Sequence, residues 1–173
     1  FPRSIGQVPI YYNAKNTGRP LSTENTDKCT FEKFRSNYLD ECNTPLYPFG
    51  YGLSYSQFNY SDLSVSNAKP TGNTSIEASI TLKNNGKYDG AEVVQLYIRD
   101  LVGSITRPVK ELKGFQKVYL KAGESKKVTF KISPEDLKFY NSQWKCDWEA
   151  GDFDVMIGTN SQDVKTTRIT WAK

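Results

Sequence analysis

Ile76-Glu77-Ala78-Ser79-Ile80-Thr81-Leu82-Lys83 alternates apolar and polar residues without a break. Successive side chains of a strand point to opposite faces, so this pattern is a strand with one buried face. Outward from it the same signature repeats. Residues 58–65 read as the strand before it. Asn84-Asn85-Gly86-Lys87 is a turn by composition, and Val93 to Ile98 is a more continuous apolar run that suits a central strand. Phe115 to Leu120 follows, then a turn at Ala122-Gly123-Glu124. Val128, Phe130 and Ile132 alternate with Thr129 and Lys131. Ser133-Pro134-Glu135-Asp136 has an N-cap with Pro at the first helical position, which predicts a single helical turn. Phe139-Tyr140 and Trp144 to Trp148 predict short strands around a turn. Phe153, Val155 and Ile157 alternate again up to Gly158, and Arg168 to Trp171 is the last strand. Seven or eight short strands with almost no helix predict an antiparallel β-sandwich of immunoglobulin or fibronectin type III type. No Cys–Trp–Cys pattern of antibody domains is present, which favours the fibronectin-like form.

The first third of the chain reads differently. Val8 to Tyr12 is strand-like and leads into a loop, Asn13 to Pro20, rich in Asn, Gly and Pro. Residues 21–44 are polar, with a helical turn expected near Phe31 to Phe34. This stretch has too few apolar residues for a core of its own, so it should lean on a partner or be partly disordered. The segment Pro45 to Tyr55, PLYPFGYGLSY, packs two prolines, two glycines and four aromatics into eleven residues. Pro45 and Pro48 disfavour helix, while Gly50 and Gly52 open backbone angles closed to other residues. It reads as an ordered, irregular connector that holds two units at a fixed angle. The predicted boundary falls between residues 57 and 58.

Composition narrows the chemistry. The 23 basic and 19 acidic residues are interspersed, and the net charge is +4. The Lys-rich stretch Lys110 to Lys127 alternates with apolar residues, as a solvated sheet face does, which argues against a nucleic-acid partner. No apolar run is long enough to cross a membrane. A chain opening at Phe1-Pro2-Arg3, with no initiator Met and no signal peptide, reads as a processed product or a piece of something longer. The sequence has no His. That excludes Ser-His-Asp and Cys-His catalysis and His-ligated metals. No CxxC pattern exists, and neither a metal nor a cofactor is implied. Of the three cysteines, Cys29 and Cys42 are candidates for a short disulfide loop; two isolated thiols are the other reading.

FPRSIGQVPIYYNAKNTGRP, PLYPFGYGLSY, RPVKELKGFQKVYLKAGESKKV and WEAGDFDVMIGTNS occur in this order and at distances that resemble the C-terminal end of a glycoside hydrolase family 3 enzyme. The resemblance covers nearly the whole chain and points to periplasmic β-glucosidases, with β-xylosidases as the neighbouring activity. It implies that residues 1–57 correspond to the tail of an α/β sandwich domain and residues 58–173 to a fibronectin type III-like domain. It also implies a retaining, exo-acting parent enzyme that removes terminal β-linked glucose through two carboxyl groups. Both carboxyls would lie upstream of Phe1, and no residue here matches either motif, so no catalytic residue is carried over. The partners implied are the upstream catalytic domains and, through them, β-linked oligosaccharide; the location implied is periplasmic or secreted. One departure stands out: Ala14 occupies the position where relatives usually have His.

The candidate site residues serve either a substrate rim or a domain interface. They are Asn13, Lys15 and Arg19 in the first loop and Tyr47, Phe49 and Tyr51 in the connector. Aromatic rings serve both roles: they stack on sugars and they glue domains. Arg107-Pro108 is a further anchor for a loop. Asp147, Glu149, Asp152 and Asp154 crowd together, as paired catalytic carboxyls or calcium ligands do, and as solvated carboxylates beside a turn also do. Asn59-Tyr60-Ser61 and Asn73-Thr74-Ser75 match the glycosylation pattern, which has no meaning in a bacterial protein. A stand-alone carbohydrate- or protein-binding module is the alternative reading. An orphaned connector also predicts self-association of the chain by itself.

Overall fold

The computed structural model describes residues 1–7, 10–21 and 29–173. Nine strands follow in chain order: β1 (Phe58–Val65), β2 (Ile76–Asn84), β3 (Gly90–Asp100), β4 (Glu111–Leu120), β5 (Ser125–Ile132), β6 (Phe139–Tyr140), β7 (Cys146–Asp147), β8 (Gly151–Gly158) and β9 (Val164–Trp171). Seven of them build two antiparallel sheets, β1-β2-β5 and β4-β3-β8-β9; β6 and β7 form a separate small hairpin. This is the predicted fibronectin-like β-sandwich.

The period-two pattern builds the core directly. Ile76, Ala78, Ile80 and Leu82 of β2 face Val94, Leu96 and Ile98 of β3, with Val128, Phe130 and Ile132 of β5 and Phe153, Val155 and Ile157 of β8 beside them. Trp148 and Trp171 close one end as an edge-to-face pair with ring centroids 6.1 Å apart. The Trp171 indole donates to the Gly72 carbonyl at 3.0 Å, so its one polar atom is satisfied. The turn after β5 is a 3₁₀ turn over Pro134–Leu137. There the Asp136 carboxylate accepts from the Ser133 N–H at 2.8 Å.

Asn84 is the main polar member of the interior. It is fully buried. Its Oδ1 accepts from the Ser56 hydroxyl at 2.6 Å and the Gly86 N–H at 3.0 Å. Its Nδ2 donates to the Tyr88 carbonyl at 2.8 Å and the Leu120 carbonyl at 3.2 Å. One side chain thus ties the end of the connector to the β2–β3 turn and to β4.

The first 57 residues differ from expectation in two places. Part of the run Val8 to Tyr12 lies outside the described residues, and the described remainder, Ile10 to Tyr12, is not a strand; the chain turns at Tyr12 and Asn13. The regular pairing comes later and is brief: Lys15 bridges Pro108, and the Val109 N–H donates to the Ala14 carbonyl at 2.9 Å. Phe31 to Phe34 is a turn rather than a helical one, because Phe34 sits at φ +66°, which a helix does not accommodate.

The interior of this segment is polar. Gln7 is completely buried. Its amide nitrogen donates to the carbonyls of Cys42 and Thr44, and its oxygen accepts from the Arg3 N–H at 2.6 Å. A disulfide joins Cys29 and Cys42. Hydrogen bonds and a covalent link do here what apolar burial does in the sandwich.

Removing the Asn84 side chain breaks four hydrogen bonds at once, of which those to Ser56 and Leu120 are buried. Asn84→Ala is expected to destabilise the chain by about 2–4 kcal/mol, read as a lower urea midpoint. A loss below about 1 kcal/mol would show that water replaces those bonds.

Candidate functional site

The connector lies across the outer face of the four-stranded sheet, and three contacts hold it there. Gln95, on the outer face of β3, is buried. Its amide nitrogen donates to the Gly50 carbonyl at 3.2 Å and to the Thr159 carbonyl at 2.6 Å, and its oxygen accepts from the Tyr97 hydroxyl at 2.5 Å. The Ser161 N–H donates to the Phe49 carbonyl at 2.9 Å. Tyr12 stacks on Phe49 with centroids 4.2 Å apart and meets Tyr97 edge-on at 5.9 Å. Gly50 is required at this point. Its φ is +80°, and a Cβ would run into the Gln95 amide.

These contacts explain why β3 reads as a nearly continuous apolar run. Val94, Leu96 and Ile98 enter the core, while Gln95 and Tyr97 are buried on the opposite face beneath the connector. Met156, opposite Tyr97 in the register of β3 with β8, is buried there as well.

The arrangement leaves an open cleft of about 1010 Å³ between the N-terminal loop and the connector. Of the predicted residues, Asn13, Tyr47, Phe49 and Tyr51 line it. Tyr47 and Tyr51 stand against each other at 5.0 Å between centroids, and each ring is about half exposed. Lys15 and Arg19 do not line it. Both are exposed. Lys15 serves through its backbone bridge to Pro108, and the Arg19 carbonyl accepts from the Ser36 N–H at 2.8 Å.

Tyr12, Lys110, Ser161 and Gln162 also line the cleft and were missed in the sequence. Lys110 overturns the reading of 110–127 as a wholly solvated face. Its ammonium donates to the Ser161 carbonyl at 2.5 Å, and burial, with the nearby Arg99 charge adding to it, lowers its pKa. Its position just after Pro108, at the entry to β4, was the one available signal. Ser161 and Gln162 reach the cleft only through the β8–β9 turn, which the Asn160 side chain shapes by accepting from the N–H groups of Gln162 and Asp163, both at 2.9 Å.

The cleft wall contains no Asp, Glu or His among the described residues. It offers aromatic faces, amides, hydroxyls and the Lys110 ammonium, a set that suits apolar or hydroxylated surfaces. The acidic group at 147–154 is likewise structural. Asp147 pairs with Lys173 at 2.6 Å, and this hydrogen bond and the Trp148 N–H lower its pKa. Glu149 accepts from the Ser104 N–H at 2.8 Å, and Asp152 from the Thr170 hydroxyl at 2.6 Å. Asp154 takes the Arg168 guanidinium at 2.8 and 3.3 Å. No group of three or more potential metal ligands is present among the described residues.

Arg107 anchors the loop before β4. It lies over the Phe139 ring at 4.2 Å, bonds Glu111 at 2.8 Å and faces Asp100 at 3.7 Å. Burial raises the Asp100 pKa, and the Arg107 charge opposes that rise. Tyr60 donates to Glu92 at 2.9 Å; burial first, then the Glu92 charge, raises its pKa. Burial raises that of Tyr97 in the same direction. Neither phenol serves as a base near neutral pH.

Fold and site together define a fibronectin type III-like sandwich carrying a cleft with no carboxylate among its described residues. Residues 92–161 match the fibronectin type III-like domain family. Over 95% of its length the chain is 50% identical to a periplasmic beta-glucosidase of Salmonella typhimurium and covers 21% of that protein. It is 49% identical to a putative beta-xylosidase of Formosa agariphila over 96% of this chain and 20% of that one. A crystal structure of beta-glucosidase from Listeria innocua in complex with glucose superposes on the whole chain with a TM-score of 0.89 at 43% identity; the chain covers 23% of it. The chain matches the C-terminal part of glycoside hydrolase family 3 enzymes of the β-glucosidase kind, fibronectin type III-like domain included. It spans about a fifth of the length of the curated relatives it matches. Among the described residues no helix is long and apolar enough to cross a membrane.

Lys110 gives a pH test. Burial holds its pKa below the ordinary 10.5, so between the two values the unfolded chain binds more protons and stability rises with pH. Lys110→Met is expected to flatten that rise. A parent and variant with the same slope up to pH 10.5 would show that the ammonium is solvated.

Proposed function

We propose that this chain is the non-catalytic C-terminal part of a retaining, exo-acting β-glucosidase-like hydrolase that releases terminal β-linked glucose from oligosaccharides. Residues 1–57 are the tail of its α/β sandwich domain, and residues 58–173 are its fibronectin type III-like domain. The chain supports the upstream catalytic domains, and Asn13, Tyr47, Phe49 and Tyr51 belong to the interface with them. The observation that carries this reading is the coextensive match: the similarity to β-glucosidases runs through both parts of the chain at a TM-score of 0.89. A relative named as a putative beta-xylosidase is nearly as similar, so xylosides are the second substrate class.

The location we propose is the periplasm or the exterior. A relative named as periplasmic supports it. So does the Cys29–Cys42 disulfide, because such bonds persist in oxidising compartments. A stand-alone binding module would use the same aromatic cleft. It leaves unexplained why the match to a β-glucosidase runs through residues 1–57, with their polar interior, as well as through the sandwich. Without its partner domains, the exposed connector makes the isolated chain prone to concentration-dependent association.

The chain is expected to be inactive on a chromogenic β-glucoside, while the same protein extended upstream to the length of its relatives hydrolyses it. Turnover by the purified 173-residue chain would end this reading. Thiol titration of the denatured, unreduced protein is expected to find one free thiol, Cys146. Three would remove the argument from compartment.

A further inference from the structure

One wall of the cleft is built without an apolar core, and a disulfide stands directly behind it. Among the described residues of 1–57, the buried ones are Gln7, Cys42, Thr44 and Ser56. Gln7 donates to the carbonyls of Cys42 and Thr44, and Arg3 Nε donates to the same Thr44 carbonyl at 2.9 Å. The N-terminal ammonium donates to the Tyr47 carbonyl at 2.8 Å, and the Leu46 N–H to the Phe1 carbonyl at 2.9 Å. Residues 42–47 are thus laced to residues 1–7. Phe1, Asn43, Thr44 and Tyr47 of this lacing line the cleft.

Cys42 opens that stretch and is joined to Cys29, 13 residues earlier. No described residue of 29–41 is buried. Inside the loop, the Asn43 side chain accepts from the Tyr38 N–H at 3.1 Å and donates to the Ser36 carbonyl at 2.8 Å. A loop without apolar burial leans on its covalent closure, which removes the entropy it would otherwise regain. The two half-cystines differ. Cys42 is 8% exposed, whereas Cys29 is exposed and sits at φ +53°. A left-handed residue other than glycine is strained, and exposed or strained disulfides are the labile ones.

We propose that the Cys29–Cys42 disulfide is a redox latch on this wall of the cleft. Closed, it sets the Cys42 carbonyl where Gln7 binds it. Opened by a dithiol, it lets residues 42–47 come away from residues 1–7. A thiolate of the dithiol attacks the Cys29 sulfur, the S–S bond breaks, and Cys42 leaves as a thiolate that takes up a proton. The second thiol then displaces the Cys29 thiolate, which is protonated in turn, and the dithiol ends as a disulfide. Two electrons and two protons pass to the protein. The opposite wall does not respond, because Phe49 and Gly50 are bonded to Ser161 and Gln95 of the sandwich. The latch works in the same way whether or not the longer protein is a hydrolase.

Hydrogen exchange on the 173-residue chain, oxidised and after equilibration with dithiothreitol, tests the proposal. The amides of Leu46 and Tyr47 are expected to exchange at least about tenfold faster in the reduced protein. The Ser161 amide and those of β2 are expected to stay unchanged. Cys29→Ser with Cys42→Ser is expected to show the fast exchange without dithiothreitol and no response to it. In the native protein, dithiothreitol is expected to raise the count of free thiols from one to three. Equal exchange at Leu46 and Tyr47 in both states overturns the proposal. Equal acceleration in β2 also overturns it, making the disulfide a general staple. So does a count that stays at one until urea unfolds the chain, and so do three free thiols in the untreated protein.

Discussion

One buried amide decides how the two parts of this protein sit together. Gln95 stands on the outer face of a central strand, where a sandwich normally meets water. Its donors go to Gly50 in the connector and Thr159 in the β8–β9 turn, and its acceptor goes to Tyr97. A buried amide with unmet partners is costly. The connector must therefore lie where its carbonyl completes the set, and Gly50 must be a glycine because the amide fills the space a Cβ would take. The Tyr12–Phe49 stack, the buried Tyr97 and the cleft itself follow from that placement.

The sandwich was legible because its information is local. Alternation along β2, β5 and β8 names the core face, and the turns carry their own residues. The same logic placed the cap at Ser133 and the central position of β3. It stopped at the N-terminal segment. There Gln7, buried and bonded to carbonyls 35 and 37 residues away, has no signature in its neighbours. The strand expected at Val8 to Tyr12 reflects the same limit: apolar residues at alternate positions predict a strand only when a partner edge exists, and the described part turns instead.

Site legibility followed a similar line. The aromatics of the connector were visible as a cluster, and Asn13 as part of a loop. Lys110 looked like one lysine among many, because solvated and half-buried lysines alternate with apolar residues in the same way. Ser161 and Gln162 joined the cleft through a β8–β9 turn that no spacing rule connects to residue 49. The acidic run at 147–154 shows the converse. Its density fits chemistry and solvated carboxylates alike, and the strand register hands Asp152 and Asp154 to Thr170 and Arg168 on β9.

The two parts resist unfolding by different means, and this bears on why they travel together. The sandwich has a continuous apolar core between its two sheets. The N-terminal segment has a buried glutamine, a disulfide and a set of rings turned outward. Its order is tied to the sandwich through Gln95 and Asn84. A segment of that kind transmits position rather than energy. The connector moves relative to the sandwich only by breaking bonds to β3 or to the β8–β9 turn.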